Sequence, residues 1–176
     1  NALATIAVCD WFGVSVENMS KHLATFMGAQ RRFEMICEKK GVKVVDDYAH
    51  HPTEISATLK AARQGWGNRR IIAVFQPHRY SRTHFLFDEF THAFEDADLV
   101  VLTDIYSPPP EQPISGVSSD VLAERIRALG KEVHLVKERK ELGNFLFNLA
   151  QSNDFIITMG AGSIWQTAKE LCQLLD

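Results

Sequence analysis

Ile71-Ile72-Ala73-Val74-Phe75 is a run of five apolar residues with no polar residue among them. A strand with one face in water alternates apolar and polar side chains. An unbroken run of this length instead fits a strand buried on both faces, the form found in parallel sheets covered by helices. The signature recurs at Leu99-Val100-Val101-Leu102 and Phe155-Ile156-Ile157-Thr158-Met159, and again from Val133 to Val136. Between these runs apolar residues return at helical spacing. Ile55, Leu59 and Ala62 follow Pro52, a residue suited to the first turn of a helix. Phe87, Phe90 and Phe94 mark a second helix, and Leu122, Ile126 and Leu129 a third, capped by Ser118 or Ser119. Leu142, Leu146 and Leu149 mark another, and Ile164, Ala168, Leu171 and Leu175 the last. Strands alternating with amphipathic helices predict an α/β fold, a Rossmann-like, mostly parallel sheet with helices on both faces and right-handed crossovers.

Toward the N-terminus the pattern changes. Two β-like runs, 32–38 and 43–48, flank Lys39-Lys40-Gly41, a hairpin-type turn. Gly28-Ala29-Gln30 reads as a linker. Before it, residues 2–12 suggest a buried Ala-rich helix ended by Gly13. Val16, Met19, Leu23 and Phe26 mark a second helix behind Ser15. The expected division is therefore 1–29, two helices of a preceding domain, and 30–176, the α/β domain. The chain opens on Asn1-Ala2-Leu3-Ala4 without Met, already in a helical pattern, and reads as a piece of a longer protein.

Composition narrows the class. Of 176 residues, 45% are hydrophobic and 23% charged, so the chain can bury a core and is not of disordered type. A net charge of −3 argues against nucleic-acid binding by bulk charge. No apolar run approaches the roughly 20 residues of a membrane span, and no signal peptide is visible. Cys9, Cys37 and Cys172 are far apart and form no CxxC pair. Neither a disulfide framework nor a zinc knuckle is expected, and a reducing cytoplasm is the default. Lys39, Lys40, Arg69 and Arg70 read as solvated charges at turns. Trp11, Trp66 and Trp165 read as packing residues.

Ligands of open α/β sheets bind beyond the carboxyl ends of the strands. Three polar clusters fall there. In Asp46-Asp47-Tyr48-Ala49-His50-His51-Pro52, carboxylates can take ribose hydroxyls or a metal, and a neutral imidazole can accept a hydrogen bond from an amine. The plainer reading is that His51 caps the next helix and Asp47 closes a turn. In Gln76-Pro77-His78-Arg79-Tyr80-Ser81-Arg82-Thr83, Arg79 and Arg82 would share a helical face. Two cations at a helix start are electrostatically unfavourable, which points to a bound anion such as a small carboxylate. The third cluster, Gly160-Ala161-Gly162-Ser163, is too short for a dinucleotide fingerprint and reads as a tight turn.

Asp46-Asp47-Tyr48-Ala49-His50-His51-Pro52-Thr53-Glu54-Ile55 and Phe75-Gln76-Pro77-His78-Arg79-Tyr80-Ser81-Arg82-Thr83 together closely resemble the Mur ligases, bacterial cell-wall amino-acid ligases. The likeness is to the branch that adds L-alanine to UDP-N-acetylmuramate. Asn1-Ala2-Leu3-Ala4 is similar to the end of the family's HNxxNALAA motif, and Arg31-Arg32-Phe33-Glu34 to the opening of its third domain. Asp104-Ile105-Tyr106, Gly116-Val117-Ser118-Ser119 and Met159-Gly160-Ala161-Gly162 also fit. A tripeptide-recycling relative shares AHHPT but carries a Glu-Pro-Arg-Ser-Asn type of second motif.

The resemblance implies an ATP-dependent ligase of peptidoglycan synthesis. The muramoyl carboxylate is phosphorylated to an acyl phosphate, which the amino-acid amine attacks. It implies that His50 lies near the alanine amine and that Arg79 and Arg82 hold its carboxylate. Asn1 would meet adenine, Arg32 the phosphates, Asp47 the ribose, and Tyr48 the nucleoside by packing. ATP and magnesium are implied, with the phosphate loop, the magnesium ligands, a carbamoylated lysine and the UDP-binding domain upstream of Asn1. This chain alone is then expected not to turn over. A non-catalytic α/β interaction module is the competing reading, which expects His50, Arg79 and Arg82 on different faces.

Overall fold

A computed structural model describes residues 2–26 and 28–176. Its strands are β1 (Glu34–Lys39), β2 (Val42–Asp47), β3 (Arg70–Phe75), β4 (Leu99–Leu102), β5 (Glu132–Leu135) and β6 (Asp154–Met159). Its helices are α1 (Ala2–Trp11), α2 (Val16–Ala24), α3 (Pro52–Trp66), α4 (Tyr80–Phe85), α5 (Phe87–His92), α6 (Ser119–Ala128), α7 (Leu142–Leu149) and α8 (Trp165–Leu174). The six strands form one sheet in the order β1-β2-β6-β3-β4-β5. Every neighbouring pair is parallel except β1–β2, which is antiparallel.

The apolar runs are buried on both faces, as the patterning predicts. Ile71, Ala73 and Phe75 point to one side, where α3, α5 and α6 supply Ile55, Leu59, Phe90, Leu122 and Ile126. Ile72 and Val74 point to the other, where α7 and α8 supply Leu142, Leu146, Ala168 and Leu171. The β1–β2 hairpin turns on Lys40 (φ 50°) and Gly41 (φ 79°). Two successive positive φ values match the twist of the flanking strands. Lys39 therefore stays in the ladder, opposite Val42.

Four expectations need correction. The helix through Phe87 and Phe94 is broken: α5 ends at His92, although Phe94 is still buried under the sheet. The helix over 2–12 forms but buries none of its residues, because its partner is α2 and no described element covers its outer face. Cys37 and Cys172 form a disulfide, since α8 packs on β1 and brings their Cα atoms to 6.1 Å. The charges at turns are not merely solvated. Arg70 grips the buried Asp154 through Nε–Oδ1 (2.9 Å) and Nη2–Oδ2 (2.7 Å), tying β3 to β6 at their starts. Arg69 reaches Glu38 (2.7 Å), and Lys39 reaches the Cys172 carbonyl (3.1 Å). Among the described residues, no helix is long and apolar enough to cross a membrane.

Candidate functional site

The carboxyl ends of β2, β6 and β3 lie in register, with Met159 paired to Asp47 on one side and to Phe75 on the other. The two polar clusters are thus not on adjacent strands. The end of β6, the Gly160-Ala161-Gly162 turn, separates them. Its small size has a local cause. A Cβ on Gly160, whose φ is +145°, would sit 2.8 Å from the Gln76 carbonyl oxygen. One on Gly162 would sit 2.6 Å from Gln76 Oε1 and 3.1 Å from Tyr106 Cγ. The carbonyls of this turn are engaged by Arg31, whose Nη2 donates to Gly160 O at 2.6 Å. A phosphate loop presents amides rather than carbonyls, so the tight-turn reading accounts for the motif.

After β2 the chain is held by its own carboxylates. Asp46 is buried and accepts from Arg31 Nε (2.9 Å) and Thr158 Oγ1 (2.6 Å). Burial pushes its pKa up, against the pull of those two donors. Asp47 accepts from the Ala49 amide at 2.7 Å, closing the turn, and from the Phe33 amide at 2.7 Å. His51 caps α3 in a reciprocal capping box with Glu54. Both plainer readings of this cluster are therefore realised. Tyr48 is partly buried, with the guanidinium carbons of Arg31 and Arg32 at 5.0 and 5.5 Å from its ring centre. Arg32 is exposed. His50 Nδ1 lies 2.9 Å from the Tyr48 carbonyl. A carbonyl only accepts, so Nδ1 carries the proton in the neutral ring and Nε2 keeps a lone pair.

After β3 the backbone does something that spacing does not foretell. Arg79 is not in α4 but caps it, at φ 74° and ψ 132°. Arg79 and Arg82 therefore do not share a helical face. A positive φ at a non-glycine costs on the order of 1–3 kcal/mol and persists only where neighbours over-determine it. Here Arg79 N donates to Tyr106 O (2.8 Å), and the Arg79 carbonyl accepts from Thr83 N (3.1 Å) and Thr83 Oγ1 (2.9 Å). Arg82 Nη1 donates to His78 Nδ1 (3.3 Å) and to His78 O (3.2 Å). A guanidinium only donates, which places the His78 proton on Nε2. Burial first, and then Arg82 and Arg79, push the His78 pKa down. Among the described residues the Arg79 guanidinium has no hydrogen-bond or ion-pair partner.

The anion expected at the start of α4 is present, and it belongs to the protein. Glu111, in the loop after β4, accepts from the Tyr80 amide (3.1 Å), the Ser81 amide (3.0 Å) and the hydroxyls of Ser81 and Ser107. The Ser107 hydroxyl, then that of Ser81 and the two amides, hold its pKa down at about 2. The electrostatic argument for an external anion at this helix end therefore falls. What remains is a geometric one. The His50 ring lies 6.4 Å from that of His78, and the His78 ring stacks on Tyr106 at 5.6 Å. His78, which sequence reasoning quoted without a role, joins His50 to Arg82. Tyr106 was quoted only within a segment that fits the resemblance, and Glu111 was missed altogether, because no spacing rule ties the loop after β4 to the turn after β3. Asn1 falls outside the described residues. Among the described residues no group of three or more His, Cys, Asp or Glu is arranged to hold a metal ion.

Residues 31–162 match the family described as the Mur ligase, glutamate ligase domain. The chain belongs to the Mur ligase family. Over 177 aligned residues it is 52% identical to the UDP-N-acetylmuramate–L-alanine ligase of Symbiobacterium thermophilum, covering 100% of this chain and 36% of that protein. The solved UDP-N-acetylmuramate-alanine ligase of Thermotoga maritima superposes with a TM-score of 0.81 at 30% identity, over 98% of this chain and 36% of that one. A murein peptide ligase from Psychrobacter arcticus gives 0.68 at 25% identity, over 99% and 36%. The chain thus spans little more than a third of these Mur ligases.

Proposed function

We propose that this chain is the C-terminal, amino-acid- and nucleotide-contacting domain of an ATP-dependent ligase that joins L-alanine to UDP-N-acetylmuramate. The observation that carries the reading is the His50–His78–Arg82 contact across the end of β6, with the unpartnered Arg79 guanidinium beside it. An interaction module has no need to gather these groups at one strand edge. The Gln-Pro-His-Arg-Tyr motif and the higher TM-score with the alanine ligase favour alanine over a recycled tripeptide.

In this reading the alanine carboxylate binds Arg79 and Arg82, two fixed-charge donors suited to it. The amine faces the lone pair on His50 Nε2. It attacks an acyl phosphate formed with groups of the remaining domains; the N–C bond forms, one amine N–H bond breaks with its proton released to solvent, the C–O bond to phosphate breaks, and phosphate leaves. The domain's part is to hold the amine in line. Arg32 meets the nucleotide phosphates and Tyr48 packs on the nucleoside. Asp47 acts from behind them, its carboxylate keeping spare lone pairs for a ribose hydroxyl beside the two amides it already accepts. Magnesium would supply charge neutralisation to phosphates when bound, and its ligands are assigned to the domain upstream of Asn1, of which residues 1–29 are the last helices. The isolated chain does not turn over; ATP- and alanine-dependent phosphate release from it at the rate of the intact enzyme would refute that.

In the intact ligase Arg79→Ala raises the KM for alanine roughly 10- to 100-fold, the loss expected for hydrogen bonds to a charged group. The KM for UDP-N-acetylmuramate stays within about twofold. Equal loss for both substrates would remove Arg79 from the amino-acid site.

A further inference from the structure

Glu111 sits 32 residues after Arg79 in the chain, yet its carboxylate meets the two amides that immediately follow Arg79, those of Tyr80 and Ser81. The Ser81 and Ser107 hydroxyls complete the set, so both carboxylate oxygens are committed to donors. Among the described residues Glu111 makes no ion pair, so neither arginine charge is spent on it. The same loop supplies a second strut. Tyr106 N donates to Pro77 O at 2.8 Å and Tyr106 O accepts from Arg79 N at 2.8 Å, which brackets His78 and Arg79 from the side. The Arg79 backbone, at φ 74°, is thus pinned ahead by Tyr106 and behind by Glu111.

We propose that Glu111 is a positioning residue for the amino-acid carboxylate: by capping the turn that carries Arg79 and leads into Arg82, it fixes the backbone from which both guanidiniums project without touching the substrate. The inference rests on the reading of Arg79 and Arg82 as the carboxylate clamp. Only a carboxylate can accept all four donors at once. A carboxamide has a single acceptor oxygen and turns an N–H toward one side of the turn. Removing the cap also leaves two cations at the start of α4 with no anion to offset the helix end.

The test uses the intact ligase carrying this chain, with KM measured separately for alanine, ATP and UDP-N-acetylmuramate. Glu111→Ala should raise the alanine KM roughly 10- to 100-fold, as for loss of charge-assisted hydrogen bonds. The other two KM values should stay within about twofold. Glu111→Gln should fall between wild type and Glu111→Ala, and Ser107→Ala should shift the alanine KM in the same direction by less. A parallel rise in all three KM values, or a lowered Tm with an unchanged alanine KM, overturns the proposal by making Glu111 a structural residue only. Should Glu111→Ala not fold, Glu111→Gln and Ser107→Ala are judged by the same criterion. Arg79→Ala separates the two levels. If it leaves the alanine KM unchanged, the clamp itself is wrong and this inference falls with it. If it raises the alanine KM while Glu111→Gln and Ser107→Ala do not, the clamp stands and Glu111 does not position it.

Discussion

Replacing Gly160 by alanine should destabilise the fold far more than a surface glycine change, and the structure says by how much. Gly160 adopts φ +145° at the end of β6, and an added Cβ would stand 2.8 Å from the Gln76 carbonyl and 3.2 Å from Ile164 Cγ2. The backbone conformation alone costs an alanine on the order of 1–3 kcal/mol. The overlap is with a backbone atom and a buried side chain, so neither neighbour can swing clear. Overpacking of that kind costs typically about 1–3 kcal/mol. Shifting Gln76 also weakens its amide bond to Met159 O, 3.1 Å long, which contributes about 1 kcal/mol. The total is about 3–7 kcal/mol, a large part of the roughly 5–15 kcal/mol that holds a typical domain folded. Gly116→Ala is the control, because Gly116 also has positive φ (+77°) but nothing within 4 Å of its Cβ position. Urea unfolding followed by circular dichroism should show a loss for Gly160→Ala about 1–3 kcal/mol beyond that for Gly116→Ala, the overlap part alone. Equal losses would show that close packing at the end of β6 is not what selects glycine there.

Further expectations concern the staples of the sheet and one imidazole. Reduction of Cys37–Cys172 opens a link between residues 135 apart and should cost about 2–5 kcal/mol; Tm should fall on adding dithiothreitol, and an unchanged Tm would contradict the cross-link. Asp154→Ala strands Arg70 and the Gln151 amide, and should cost about 2 kcal/mol in urea, less than a fully buried pair because Arg70 is partly exposed. The lowered pKa of His78 means that the folded state binds fewer protons than the unfolded one. Stability should therefore drop as pH falls through the ordinary imidazole value of 6.5, and His78→Phe should flatten that part of the pH profile.

The sheet was legible because its signal is collective. Ile71 to Phe75 and Phe155 to Met159 leave no room for water on either face, and one misplaced residue does not alter that. The breaks were not legible. Phe87, Phe90 and Phe94 keep helical spacing, yet the chain leaves α5 at His92, because Phe94 reaches the core from a turn as well as from a helix. The disulfide was hidden for a different reason. Its partners are brought together by α8 packing on β1, a tertiary event that no local spacing encodes. In the site, the clusters themselves were visible as polar residues at strand ends, but their internal division of labour was not. Asp47 and His51 build the turn and the cap, whereas His78 makes the bridge. The Arg79–Arg82 spacing suggested a shared helical face, and only the positive φ of Arg79 reveals that the turn aims them instead.

The most direct test is a structure of the intact ligase bound to UDP-N-acetylmuramoyl-L-alanine. The alanine carboxylate should lie within hydrogen-bond distance of the Arg79 and Arg82 guanidiniums, with His50 Nε2 turned to the newly made amide nitrogen. An alanyl carboxylate seated on any other group, with Arg79 still facing solvent, would contradict the assignment of this strand edge to the amino acid.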